Sequence, residues 1–237
     1  MREVRLPSAA GHAASQARSQ LAVLVDEQTS WPSSSAALAA WRKAVEAHGI
    51  LVFSLPLGEA SCRGFSIWDS YSPLIALNSR WNPEARIFTL FHEYGHLLTR
   101  TNSACLNAGI SSLPPDGDPI ERWCEEFAAA LLLPWNAVIQ VLSREVGWVS
   151  GAKVTKLAGV AQVARRFRVS LRATALTLIK HGAADWSIYG ALPKASDNKP
   201  TGGGKGPDSN SLCLDPPREA RSAPLPRRSL RRTRPTA

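Results

Sequence analysis

From Ser35 apolar residues recur at helical spacing, with Leu38, Trp41 and Val45 on one face, and Gly49 stands where a glycine commonly ends a helix. Three runs rich in β-branched and aromatic residues follow, Ile50–Leu55, Gly64–Trp68 and Leu74–Leu77, with Pro, Gly and Ser between them. They predict a small antiparallel sheet. The period then becomes helical again. Asn82, Pro83 and Glu84 supply an N-cap, a proline at the first helical position and an early acid. Ile87, Phe91, Tyr94 and Leu98 make the apolar stripe of a buried helix. Thr99 to Gly117 is rich in Asn, Ser, Gly and Pro and reads as a loop. A second helix runs from Asp118 to Pro134, and helical patterning continues through Val138, Ile139 and Leu142, then Val154–Phe167 and Ser170–His181, ending at Gly182.

Both ends differ from this middle. Residues 1–34 are rich in Ala and Ser, with a weak helical patch at Leu21, Leu24 and Val25, and read as a loose arm or a first helix. Residues 194–237 hold 10 Lys/Arg against 4 Asp/Glu, so they carry six of the nine net positive charges of the 237-residue chain. They have seven Pro and no aromatic residue, and burial cannot offset their ordering entropy. Disorder is expected from residue 193 onward, with Arg227–Arg234 able to attract nucleic acid non-specifically. No apolar run approaches the length of a membrane span and no apolar leader follows Arg2 and Arg5, so a cytoplasmic protein is expected. Cys62, Cys105, Cys124 and Cys213 lack C-x-x-C spacing and read as reduced thiols, Cys124 packed on a helix.

Within the first buried helix stands His92-Glu93-Tyr94-Gly95-His96. Two histidines four apart project from one helix face, where both imidazoles reach one metal ion. The adjacent carboxylate of Glu93 can take a proton from a water that a metal has acidified, and pass it to a leaving amine. Tyr94, beside it, reads as core. A catalytic zinc usually keeps three protein ligands. Thr99 and Asn102 occupy the positions where a metzincin continuation needs Gly and His, so the third ligand lies elsewhere. The second helix offers Glu121, Glu125 and Glu126; the first two share a face, and Glu126 reads as solvated. Glu121 is also three residues after Asp118, a capping-box spacing in which it would bind only the helix start. Cys105 and Asp116 fit the helical geometry less well. His48 reads as a helix-end or solvated residue.

Val163–Leu178 is patterned like a helix-turn-helix, with Ser170 as the second N-cap and Arg165, Arg166, Arg168 and Arg172 available for phosphate. Any tight helical hairpin shares that pattern. A helical subdomain that docks a partner and buttresses the main domain is preferred, with direct DNA binding the lesser alternative.

Taken together, Trp41-Arg42, Gly49–Phe53, Arg63–Ser66 with Asp69, Pro73–Asn78, Phe88–Leu98, Ile120–Cys124 and Phe127–Pro134 resemble the ImmA/IrrE family of metallo-endopeptidases. The resemblance implies an α+β zincin-like fold: a small antiparallel sheet, the H-E-x-x-H helix, a second helix bearing the glutamate, and a helical C-terminal subdomain. It implies Glu121 as the third metal ligand beside His92 and His96, and Glu93 as the catalytic residue. The metal would be Zn²⁺, with Mn²⁺ or Fe²⁺ also suited to two histidines and a carboxylate. Glu125 departs from the family, which usually has Asn there; it could orient a ligating histidine or compete for the metal. Residues 35–150 would form the metalloprotease domain and 151–192 the helical subdomain.

The implied function is cleavage of a separate helix-turn-helix transcriptional repressor, releasing a stress-response or mobile-element operon. A strand edge within residues 64–78 could pair with the substrate backbone. The alternatives are a regulator-binding, anti-repressor module in which hydrolysis is not essential, and a less selective peptidase.

Overall fold

The computed structural model describes residues 9–58, 62–105 and 118–193. The alanine-rich start forms α1 (Ala10–Gln20) and α2 (Val25–Ser30). α1 buries Ala10, Ala13, Ala14 and Ala17, small side chains at a spacing that lets a helix lie close against a neighbour. From residue 9 onward this region is part of the core, since Leu21, Val23 and Trp31 are buried too; Leu24, of the expected patch, is exposed. In α3 (Ser34–Glu46) the Ser33 hydroxyl accepts from the Ala36 amide, and Leu38, Trp41 and Val45 are buried as their spacing predicts.

The strands are β1 (Leu51–Leu55), β2 (Gly64–Ile67), β3 (Leu74–Asn78) and β4 (Ser103–Cys105), in the order β1-β3-β2-β4. The sheet is mixed rather than antiparallel, because β1 pairs β3 in parallel while β2 is antiparallel to β3 and β4. The connection after β1 carries the chain past the place that β3 then fills beside β2. Buried Asn78 secures that connection, its side-chain amide donating to the carbonyls of Gly58 and Cys62. β4 falls in the stretch read as loop. Both β2 and β3 are interior, so the edges are β1 and β4, and no edge lies within residues 64–78.

α4 (Pro83–Leu98) starts as its capping residues predict, with the Asn82 side chain accepting from the Ala85 amide at 2.8 Å. Every residue from Ile87 to Leu98 is buried. α4 packs on β2 and β3, on α3, and on α5 (Pro119–Leu132). Two glycines permit this closeness. A Cβ on Gly95 would stand 3.0 Å from Cys124 Sγ and 3.4 Å from its Cα, so α4 and α5 meet at that point. A Cβ on Gly64 would lie 2.6 Å from Thr89 Cγ2 and 2.7 Å from the Ala76 carbonyl oxygen.

Beyond α5 come α6 (Trp135–Val141), a π-helical turn (Leu142–Val146), α7 (Leu157–Phe167), α8 (Leu171–Lys180) and α9 (Trp186–Gly190). Val154, expected in a helix, is instead buried in the segment before α7, its amide bonded to the Ala183 carbonyl. The N-terminal helices cap the end of α5: Arg18 donates to Leu131 O at 2.9 Å, and buried Gln28 donates to Leu132 O and to Phe167 O, both at 3.0 Å. One hydrophobic cluster runs from Ala10 to Leu192.

Ser170 caps α8 as expected. Before Lys180 the residues of α8 are buried or only partly exposed. The four arginines also bond within the chain: Arg165 to Gln162, Arg166 to Glu145, Arg168 to Trp31 O and Arg172 to Tyr189. Among the described residues no single helix is long and apolar enough to cross a membrane. The expectations for the basic tail and for Asp116, and for the side chain of Cys105, lie outside the described residues.

Gly64→Ala is expected to lower stability by about 2–3 kcal/mol in denaturant unfolding, since the carbonyl in its way cannot move without breaking the β2–β3 ladder. Gly11→Ala on α1, with nothing within 4 Å of the new methyl, is expected to raise it by up to about 1 kcal/mol. Equal effects would contradict this account of the packing.

Candidate metal centre

His92 and His96 lie one turn apart on α4 and turn their Nε2 atoms toward each other, 3.2 Å apart. Glu121, in the first turn of α5, reaches both: Oε2 is 3.0 Å from His92 Nε2 and Oε1 is 3.2 Å from His96 Nε2. It forms no capping box. Asp118 caps the helix start through the Ile120 amide at 2.8 Å, and the Glu121 carboxylate turns to the histidines. Hydrogen bonds to His92 and then His96 hold that carboxyl well below the usual carboxylate range.

Three donor atoms, one per residue, lie within 4.8 Å of one another and could hold a metal ion. The set fits a tetrahedral ion: bonds of about 2.0 Å from metal to ligand require ligands about 3.3 Å apart, close to the separations present. Both histidines are buried, whereas the Glu121 side chain is 32% exposed, so the cluster is open on its α5 side. His96 Nδ1 is 3.0 Å from Thr101 Oγ1, which can spend its own proton on the His96 carbonyl oxygen. With Nδ1–H donating to that hydroxyl, the Nε2 lone pair is left for a metal.

Glu93 is fully buried. Its Oε2 accepts from Ser66 Oγ on β2 at 2.8 Å and from Ser103 Oγ on β4 at 2.5 Å. Its Oε1 is buried and has no hydrogen-bond partner among the described residues. One oxygen is thus fixed by the sheet and the other is open to a proton. Tyr94 is core as expected, stacked on Phe127, with its phenol pushed up to about 12 by burial.

The remaining candidates separate from this cluster. Glu125 makes no hydrogen bond to either histidine and is not in the donor set. Glu126 is largely exposed and pairs with Lys180 at 3.1 Å. His48 Nε2 lies 3.0 Å from the Gln20 carbonyl oxygen, at the helix end where it was expected. Cys124 is a free, buried thiol whose ionisation is pushed up, first by desolvation and then by the surrounding carboxylates. Ser66, Ser103 and Thr101 were missed as site residues. Ser66 lies in a segment that carried the family resemblance, but no spacing rule links a strand serine to a helix carboxylate.

A histidine pair and a glutamate on adjacent buried helices, backed by a small sheet, define a metallopeptidase of zincin-like fold. The chain belongs to the Peptidase_M78 family: the model described as IrrE N-terminal-like domain matches residues 45–178, more than half of its length. That span contains α4, α5 and both serines. No curated protein matches the chain.

Desolvation pushes the Glu125 carboxyl up from 4.5 to about 7, so ionisation is harder in the fold than in the unfolded chain. The resulting penalty is absent below about pH 4.5, grows as pH rises and is complete above about pH 7. Glu125→Gln should therefore stabilise the metal-free protein by about 1–2 kcal/mol at pH 8, after allowance for partial exposure, and by little at pH 5. Parallel melting curves at the two pH values test this; an equal difference at both would contradict it.

Proposed function

We propose that this peptidase is a zinc-dependent endopeptidase whose substrate is a helix-turn-helix transcriptional repressor, cut so that a stress-response or mobile-element operon is released in the cytoplasm. His92, His96 and Glu121 would hold the zinc. A bound zinc ion would supply Lewis-acid polarisation of water and of the scissile carbonyl. Glu93 takes a proton from the attacking water at Oε1 and returns it to the leaving nitrogen, while Ser66 and Ser103 keep its Oε2 from turning.

The observation that carries this reading is the buried Glu93 carboxylate, next in sequence to a ligand, with one oxygen fastened and the other unpaired. A module that only bound a regulator would gain nothing from burying that group, which costs free energy until it is paired. The endopeptidase and repressor parts are supported by the likeness to the ImmA/IrrE family, and the metal part by the donor set.

Incubating zinc-loaded protein with the helix-turn-helix repressor encoded nearest its gene, followed by intact-mass spectrometry, tests the proposal. Discrete fragments are expected from the wild type. Glu93→Gln should abolish them at unchanged zinc content, and Ser103→Ala should lower kcat by about tenfold, a part of the roughly 100- to 10,000-fold that a positioned base contributes. An intact repressor with the wild type, or equal cutting by Glu93→Gln, would contradict it.

A further inference from the structure

One turn beyond Glu121 on α5 and one turn before His92 on α4, a cavity of about 300 Å³ opens between these helices and α8 and α9. Its walls are largely apolar, formed by Phe88, Ala129, Leu176, Ile179 and Trp186, and Glu125 is set among them. The other charges at the wall are engaged. Lys180 pairs with Glu126 at 3.1 Å, and Arg122 has its own interactions. Glu125 has no hydrogen bond or ion pair among the described residues; His92 attracts it across the helix interface, while Glu121 and Glu126 repel it. A desolvated carboxylate without a partner gains most from an incoming cation.

The chemistry of such a cavity narrows its occupant. Lysine and arginine have long aliphatic stems that lie along apolar surface while the charged end finds a partner. Trp186, 65% exposed, offers a ring face to the same cation at the rim. A helical turn rises about 5.4 Å, and an extended peptide advances about 3.3–3.6 Å per residue. The cavity is thus reached one or two residues from a peptide bond held at His92, His96 and Glu121.

We propose that this cavity is a specificity subsite for a lysine or arginine side chain of the substrate, one or two residues from the bond that is cut, and that Glu125 selects it. It rests on the peptidase reading above. The preference would be a property of the Glu125 side chain itself, and glutamine at that position would abolish it.

The test uses a degenerate decapeptide library and the full-length, zinc-loaded protein, with cleavage sites read by mass spectrometry. Wild type should enrich Lys and Arg at least tenfold over Leu at one position within two residues of the cut. Glu125→Gln should reduce that enrichment below twofold, and Glu125→Lys should replace it with Asp and Glu, at unchanged zinc content. The same library is passed over immobilised Glu93→Gln protein, where retention should show the same basic preference and lose it with Glu125→Gln. Retention dependent on Glu125 without any wild-type cleavage would sustain the subsite and sink the peptidase reading. A wild type indifferent to basic residues in both arms, or a preference unchanged by Glu125→Gln, would overturn the subsite.

Discussion

The controlling constraint is a helix, buried from Ile87 onward, that carries two imidazoles and a carboxylate inside the protein. From Ile87 to Leu98 every residue of α4 is buried, yet His92, Glu93 and His96 stand there. Buried polar groups are stable only when paired, so the partners must come from whatever packs against α4. Four neighbours supply one each: α5 brings Glu121, β2 brings Ser66, β4 brings Ser103, and the turn after the helix brings Thr101. The two close approaches that allow this run through glycines, Gly95 against Cys124 and Gly64 against Thr89 and the Ala76 carbonyl. The N-terminal helices then fix α5 by bonding its last carbonyls through Arg18 and Gln28.

What sequence made legible follows from what is local. The Asn82 cap with Pro83 after it, the start of the second helix at Asp118 and the four-residue spacing of the histidines each act within one helix, and each stands where expected. The β1–β3 parallel pairing was not legible, because strand runs carry periodicity but not order. Strand β4 is only three residues long and sits among Asn, Ser and Thr, below any periodic signal. α1 buries alanines, whose side chains give little contrast between faces, so its role as a core helix was hidden. Glu121 suits either a cap or a ligand equally well by spacing, and only the approach of α5 to α4 separates the two.

Glu125 shows how the site departs from a purely structural optimum. A carboxylate that is costly to ionise sits one turn from the metal cluster, attracted by His92 but repelled by Glu121 and Glu126, with no ion pair among the described residues. Stability alone disfavours such a residue, and strain of that kind is tolerated where it serves binding. On the proposed reading a substrate would run along the α5 side, where the cluster is open, toward the cavity at α8, and the C-terminal helices would wall its path.

The central claim is that His92, His96 and Glu121 form one metal site. Titrating metal-stripped protein with Zn²⁺ in a calorimeter tests it most directly. One ion per chain is expected, with Glu121→Ala weakening binding at least about 100-fold, roughly 2.7 kcal/mol, and Glu125→Ala leaving it nearly unchanged. Binding undiminished in Glu121→Ala, or no ion bound by the wild type, would contradict the account.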